Sequence, residues 1–504
     1  MIVNTSESVT PVRHQTLFLI AGKITALIAT FAIPLILTRL LSKAEYGIFA
    51  QYYVVVFFCT GVFNISMQSN MYYYYPTADE HTRKSIVLQT FLFLVCVSLA
   101  AVGLMSIPYV GNLIIGEGEL MDYRFFILAG VILFMPVYIL EPLYVVKKDV
   151  YTSLIYPPAE VILRLTLIIG LFLIRPGLNS IFTGVLLSAG ICTLFVLLYT
   201  AREIGLKNLD RSLFSTSLAR QQLTYSIPFG MATSINILFE RFDKIICIAF
   251  LTPAQFAVYA IAFFGIPGIM QVFDSLAQVY VIRMTVKHQE NKTRDLAGIY
   301  KELVSKTFSF SFPIMLIVML YARKIIVLLF TENYLEAVPL FRVYLISVMI
   351  YMLSSGLILR ATGKTNLTLR SYAHSALLVL PLTYLLARYI GVWGAMTGAL
   401  VSIGLPKVLN LAKEIRLVES RFSDFFPWRD FGRIAVISAV ALVPFALAEI
   451  FFSYGILTAI LLGSAYVAVV SLMEIKYGLF PFDVTALLQR LHLNAGFLTH
   501  GMPT

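Results

Sequence analysis

Apolar runs of about 20 residues recur along the chain, separated by short polar segments rich in lysine and arginine. Because about 20 apolar residues cross one bilayer, they predict spans near 16–38, 46–70, 86–108, 124–146, 151–174, 179–200, 222–249, 255–281, 303–322, 325–359, 367–387, 392–412, 432–450 and 454–473. That is a polytopic, all-α membrane protein of about fourteen helices. The stretch 325–359 is too long for one straight span; its polar part, "TENYLE" at 331–336, belongs in a loop, so the tenth helix starts near Val338.

The basic residues orient this pattern, since positively charged loops stay in the cytoplasm. With the N-terminus inside, the inside segments hold 26 of the 38 lysines and arginines and the outside segments hold 7, leaving Lys23, Arg164, Arg241, Lys244 and Arg342 within spans. Both termini are expected in the cytoplasm.

A phrase also repeats. "LLSKAEYGIFAQ" at 40–51 returns as "FLTPAQFAVYAI" at 250–261: with an offset of 210, Leu41, Ala44 and Ala50 recur as Leu251, Ala254 and Ala260, and Ser42, Glu45 and Gly47 return as Thr252, Gln255 and Ala257. Each copy falls in an outside turn, six crossings apart. An even separation predicts two parallel six-helix bundles related by an axis along the membrane normal, residues 1–205 and 206–415, followed by helices thirteen and fourteen and a tail in 416–504.

Composition agrees. Of 504 residues 59% are hydrophobic and 13% charged, with a mean hydropathy of +0.84. The formal net charge of +11 fits cytoplasmic loops facing anionic headgroups, and no nucleic-acid partner is expected. Cys59, Cys96, Cys192 and Cys247 lie in apolar stretches without Cys-x-x-Cys spacing, so they read as small core residues; no metal or other cofactor is expected.

An ionisable residue near a helix centre costs about 2.5 to 3.5 kcal/mol on insertion scales, so such residues often mark a pathway. Lys23, Arg164, Arg241 and Lys244 are the candidate cations for a substrate cleft. Glu160, Asp243 and Asp274 are the candidate carboxylates for ion coupling, and Glu240 completes the acidic set. Glu160 with Arg164, and Glu240 with Lys244, are spaced i to i+4 and can form intrahelical pairs. Lys23 has no acid within one turn, which leaves another helix, water, a ligand or snorkelling towards the interface. "MYYYY" at 71–75 reads as an interfacial aromatic belt, and "YPP" at 156–158 removes backbone donors in mid-helix. "GKT" at 363–365 lacks the upstream glycine of a phosphate loop, so the chain carries no ATPase of its own.

The phrases "PLILTRLLSKAEYGIFAQYYVV" from Pro34, "FERFDKIICIAFLTPAQFAVYAIA" from Phe239 and "RATGKTNL" from Arg360 resemble the corresponding turns of the Wzx polysaccharide repeat-unit flippases of the MOP superfamily, along essentially the whole chain. The resemblance implies a multi-pass protein of the bacterial inner membrane that moves undecaprenyl-diphosphate-linked oligosaccharides to the outer leaflet by alternating access. It further implies no enzymatic activity, drive from an ion gradient or the membrane potential, and a working environment of membrane lipids and other polysaccharide assembly proteins. In it, Asp243 and Lys244 match the acid–base pair of the family's seventh helix, and Lys23 is similar in placement to the first-helix cation of lipid II flippases. A cation-coupled MATE-like antiporter is the alternative. A membrane-embedded glycosyltransferase is the third, and it would need a larger outside loop than 109–123, whose charged residues are Glu117, Glu119 and Asp122.

Overall fold

The structure is a computed structural model and describes residues 12–205, 211–265, 269–353 and 356–479. Among them there is no strand. The helices of the first part are α1 (Val12–Leu40), α2 (Lys43–Phe63), α3 (Asn70–Tyr74), α4 (Glu80–Ser106), α5 (Pro108–Ile115), α6 (Arg124–Phe134), α7 (Leu140–Val146), α8 (Val150–Ile174), α9 (Leu178–Ile204), α10 (Thr216–Phe250) and α11 (Pro253–Ala262). The second part holds α12 (Ile269–Gln289), α13 (Leu296–Leu320), α14 (Ala322–Phe330), α15 (Ala337–Leu353), α16 (Leu357–Ala361), α17 (Thr365–Ile390), α18 (Val392–Leu417), α19 (Phe422–Phe425), α20 (Trp428–Phe451) and α21 (Ile456–Lys476).

Among the described residues, eleven helical segments are long and apolar enough to cross a membrane. The other three spans read from the sequence fall on α1, on the more polar α10, and on 255–281. That last stretch is two helices, because α11 ends ahead of "FFGIPG", whose proline and glycines oppose helix continuation. "TENYLE" lies in the turn between α14 and α15, and α15 begins at Ala337, one residue from the expected start. Two further spans are interrupted. Pro136 opens a 3₁₀ turn (Pro136–Ile139) between α6 and α7, and α2 ends at Phe63, where Ile65 and Ser66 take left-handed φ of 49° and 48°.

The repeated phrase turns out to be a pair of helix starts with the same chemistry. Ser42 caps α2: its Oγ accepts from the Glu45 amide at 3.3 Å, while Glu45 Oε2 accepts from the Ser42 amide at 2.9 Å. Thr252 and Gln255 repeat the arrangement at α11, with the Gln255 amide donating to Thr252 Oγ1 at 3.3 Å and the Thr252 amide donating to Gln255 Oε1 at 3.1 Å. Each is a capping box, which satisfies two backbone donors that a helix start leaves unpaired. The two starts also meet. A Cβ placed on Gly47 would sit 1.8 Å from the Pro253 carbonyl oxygen, so only glycine permits this approach.

The chain divides into two compact units, Met1–Ala257 and Val258–Thr504. In the first, α8 packs on α1 and α9, α6 on α2, α4 and α9, and α10 on α2. The α10–α2 contact is close: Ser234 Oγ donates to the Val62 carbonyl at 2.9 Å, and a Cβ on Gly230 would lie 2.1 Å from the Ile65 carbonyl oxygen. In the second unit, α17 packs on α18 and α13 on α12, α15, α20 and α21. The last two helices are fastened to α13 and α14 by a cluster around Ile317, Tyr321, Ala459 and Tyr466, and by Lys324, which pairs with Glu449 at 2.5 Å and lies 3.6 Å from the centre of the Tyr454 ring.

Candidate functional site

The break after α2 shapes the first unit's interior. A β-branched residue at φ of 49° is strained, and such strain persists only where surrounding structure imposes it; here Gly230 packs against the Ile65 backbone. The chain then restarts in a new direction and delivers Gln68, Ser69 and Tyr72 to a cavity of about 590 Å³. From α1 the cavity receives Ala26 and Thr30. The α6–α7 break supplies Tyr138 and Glu141, and α8 supplies Tyr156, Glu160 and Arg164. The size suits a ligand-binding cavity.

Its charges are arranged on two helices. Arg164 and Glu160 form the intrahelical ion pair that their spacing predicts, and the Arg164 guanidinium lies 5.4 Å from the centre of the Phe134 ring. The pair leaves capacity unused: Arg164 Nε, Gln68 Oε1 and the Tyr156 hydroxyl are buried without a hydrogen-bond partner. Buried polar groups are seldom left so, and these three belong to residues that line the cavity. Glu141 was not among the acids singled out from the sequence, although it lies inside the span 124–146. A bare hydropathy window hides one carboxylate among apolar neighbours.

The other sequence candidates divide. Arg241 is exposed on α10 and acts electrostatically on Tyr138, which brings it to the margin of the same cavity. Asp243 is buried and Lys244 pairs with it at 3.4 Å, one residue along the helix. Lys23 falls within α1, but its side chain lies outside the described residues, as does that of Glu240. Asp274, on α12 of the second unit, is exposed and acts electrostatically on Lys407.

Lys407 falls in the expected span 392–412 but is counted in the sequence with the basic residues of the inside segments. It is 7% exposed within α18, its ammonium 3.9 Å from the centre of the Tyr351 ring. One helical stretch further on, Glu414 is fully buried and its Oε1 accepts from the backbone amides of Ile358 and Leu359 at 2.8 and 3.3 Å. These are the second and third amides of the short α16, which follows Gly356 at φ of 70°, so the carboxylate caps a helix start from another helix. Glu414 Oε2 and Asn410 Oδ1 remain without partners. Thus each unit holds its own intramembrane charge cluster: Glu141, Glu160 and Arg164 in one, Asp274, Lys407 and Glu414 in the other.

Residues 36–339 match the family described as polysaccharide biosynthesis protein, over more than half of the chain. The chain belongs to that family. No curated protein sequence matches it significantly. Among solved structures, the lipid II flippase MurJ in an inward closed conformation superposes with a TM-score of 0.66 at 14% identity, covering 92% of this chain and 99% of that one. An inward-facing MATE-family multidrug resistance transporter of the MOP superfamily gives 0.62 at 14% identity, covering 78% and 94%, and an outward-facing one gives 0.52 at 13%, covering 81% and 95%. The fold is therefore the one these MOP-superfamily structures share, and this member of the polysaccharide biosynthesis family is a multi-pass membrane protein.

Proposed function

We propose that the protein translocates undecaprenyl-diphosphate-linked oligosaccharide repeat units from the cytoplasmic to the outer leaflet of the bacterial inner membrane, by alternating access. Membership of the polysaccharide biosynthesis family carries the reading, and the flippase-like fold supports it. The diphosphate needs cations and water, and the lipid tail can stay in the bilayer. An ion gradient or the membrane potential supplies the drive, with Glu160, Asp243 and Asp274 as coupling carboxylates, and the cargo is handed on to other assembly proteins. Deleting the gene should make lipid-linked oligosaccharide accumulate on the cytoplasmic face; unchanged lipid-linked pools and normal polysaccharide would refute the reading.

The described charges on the cavity wall are two acids and one base, which on its own suits a cationic cargo of the MATE type. Two residues reverse that balance in the flippase reading: Arg241 at the margin, and Lys23, which is spaced i, i+3, i+7 with the cavity residues Ala26 and Thr30. Lys23→Ala should impair transport while leaving the protein inserted and abundant, and Lys23→Arg should retain more activity, because a phosphate contact needs charge before shape. Normal transport by the alanine variant at wild-type abundance would remove Lys23 from the site.

The partition of basic residues, 26 to 7 in the sequence and 25 to 7 once Lys407 is taken out of the loops, supports both termini in the cytoplasm. Reporter fusions after Glu117 and after Arg211 should report opposite sides of the membrane. The same side for both would overturn the orientation.

A further inference from the structure

In the second unit, the starts of α13 and α20 and the end of α21 converge on one membrane face around a recess of about 640 Å³. Four of its lining residues are basic: Lys301 and Lys306 from α13, Arg429 and Arg433 from α20. The acids nearby are already engaged. Glu302 accepts from Lys306 at 2.9 Å, from Arg283 at 3.2 Å and from the Tyr280 hydroxyl at 2.8 Å, and Asp430 accepts from Ser305 Oγ at 3.1 Å. Among the described residues, Lys301, Arg429 and Arg433 form no hydrogen bond or ion pair, so three cations with free donors face one recess, in excess of the single carboxylate, Asp430, that no ion pair engages there.

Aromatic rings fix the depth of this recess in the bilayer. Phe425 is fully buried and packs 4.5 Å from Tyr300, which anchors the short α19 to α13. Phe422 and Trp428 lie 5.6 Å apart and remain 56% and 49% exposed, with Trp428 directly before Arg429. Exposed tryptophan and phenylalanine beside arginines belong at headgroup level, where one end of the site is apolar and the other wet. A soluble anion would need no such apolar rim.

We propose that this recess binds the headgroup of an anionic phosphoglyceride such as phosphatidylglycerol, its phosphate held by Lys301, Arg429 and Arg433 and its acyl chains laid along the apolar surface beside Phe422 and Trp428. Basic pockets between transmembrane helices recognise anionic lipids in this way. The site would clamp α20 and α21 to α13 through a lipid and is independent of what the protein transports.

The test is native mass spectrometry of the full chain in phosphatidylcholine nanodiscs titrated with phosphatidylglycerol. The wild type should retain phosphatidylglycerol, Arg429→Gln/Arg433→Gln should bind it roughly thirty-fold more weakly, and Arg429→Lys/Arg433→Lys should keep most of the affinity, since each surface cation contributes roughly five-fold. Lys301→Gln alone should weaken binding about five-fold and serves if the double variant is not recovered. Soluble glycerol 3-phosphate should not compete. Equal lipid retention by the glutamine variants, or displacement of the lipid by glycerol 3-phosphate at matched concentration, would overturn the proposal.

Discussion

Gly47→Ala should remove most of the folded protein from the membrane. The added Cβ would lie 1.8 Å from the Pro253 carbonyl oxygen and 2.4 Å from its carbon, and both are backbone atoms that no rotamer change can move aside. The starts of α2 and α11 would have to separate, breaking the junction at which the two capping boxes meet. Overpacking of this kind costs about 1 to 3 kcal/mol and more when backbone must shift, a large part of a typical folding free energy. The expected readout is a sharply lower yield of monodisperse protein and a lower melting temperature in detergent. Gly103→Ala, where nothing lies within 4 Å of the new atom, should leave both unchanged and serves as the control. Wild-type stability for Gly47→Ala would show that α2 and α11 do not approach as described.

Arg164→Gln should be the second most damaging change, and its double variant decides why. Arg164 and Glu160 are 11% and 25% exposed at their side chains, so removing the guanidinium leaves a carboxylate stranded inside the unit. Breaking a buried pair from one side costs on the order of 3 to 5 kcal/mol, and less here because Glu160 is a quarter exposed. Glu160→Gln/Arg164→Gln removes both charges and should recover most of the stability. If the pair serves only to hold α8 together, transport recovers with stability. The flippase account predicts the opposite split: the double variant is stable and abundant yet transports poorly, because the cavity has lost its described cation. Full recovery of both would make the pair structural.

Much of the architecture was legible because its signals are local. The Ser-x-x-Glu and Thr-x-x-Gln spacings lie within four residues, so the repeated turn announces itself in the sequence and the structure completes it with hydrogen bonds. The same holds for Glu160 and Arg164, one helical turn apart. What the sequence could not display is non-local. Nothing near Gly47 says that Pro253 will press against it, and nothing near Ile65 says that Gly230 will hold its backbone in a left-handed turn. Lys407 and Glu141 were passed over for a different reason: an averaged hydropathy tolerates one charge in a span, and Lys407 sits close enough to a basic loop to be read as part of it. Glu414 carries a signal that only tertiary structure resolves, since its partners are the amides of Ile358 and Leu359, more than fifty residues earlier.

The central claim is that the cargo is a lipid-linked oligosaccharide. It is tested most directly with the purified protein in liposomes that carry a fluorescent undecaprenyl-diphosphate oligosaccharide in both leaflets, by following its accessibility to a membrane-impermeant quencher under an imposed proton or sodium gradient. The flippase account predicts protein-dependent movement of the labelled lipid between leaflets, reduced in Lys23→Ala and in Glu160→Gln/Arg164→Gln, with no transport of a cationic dye. Gradient-driven movement of the dye while the labelled lipid stays in its leaflet would contradict it.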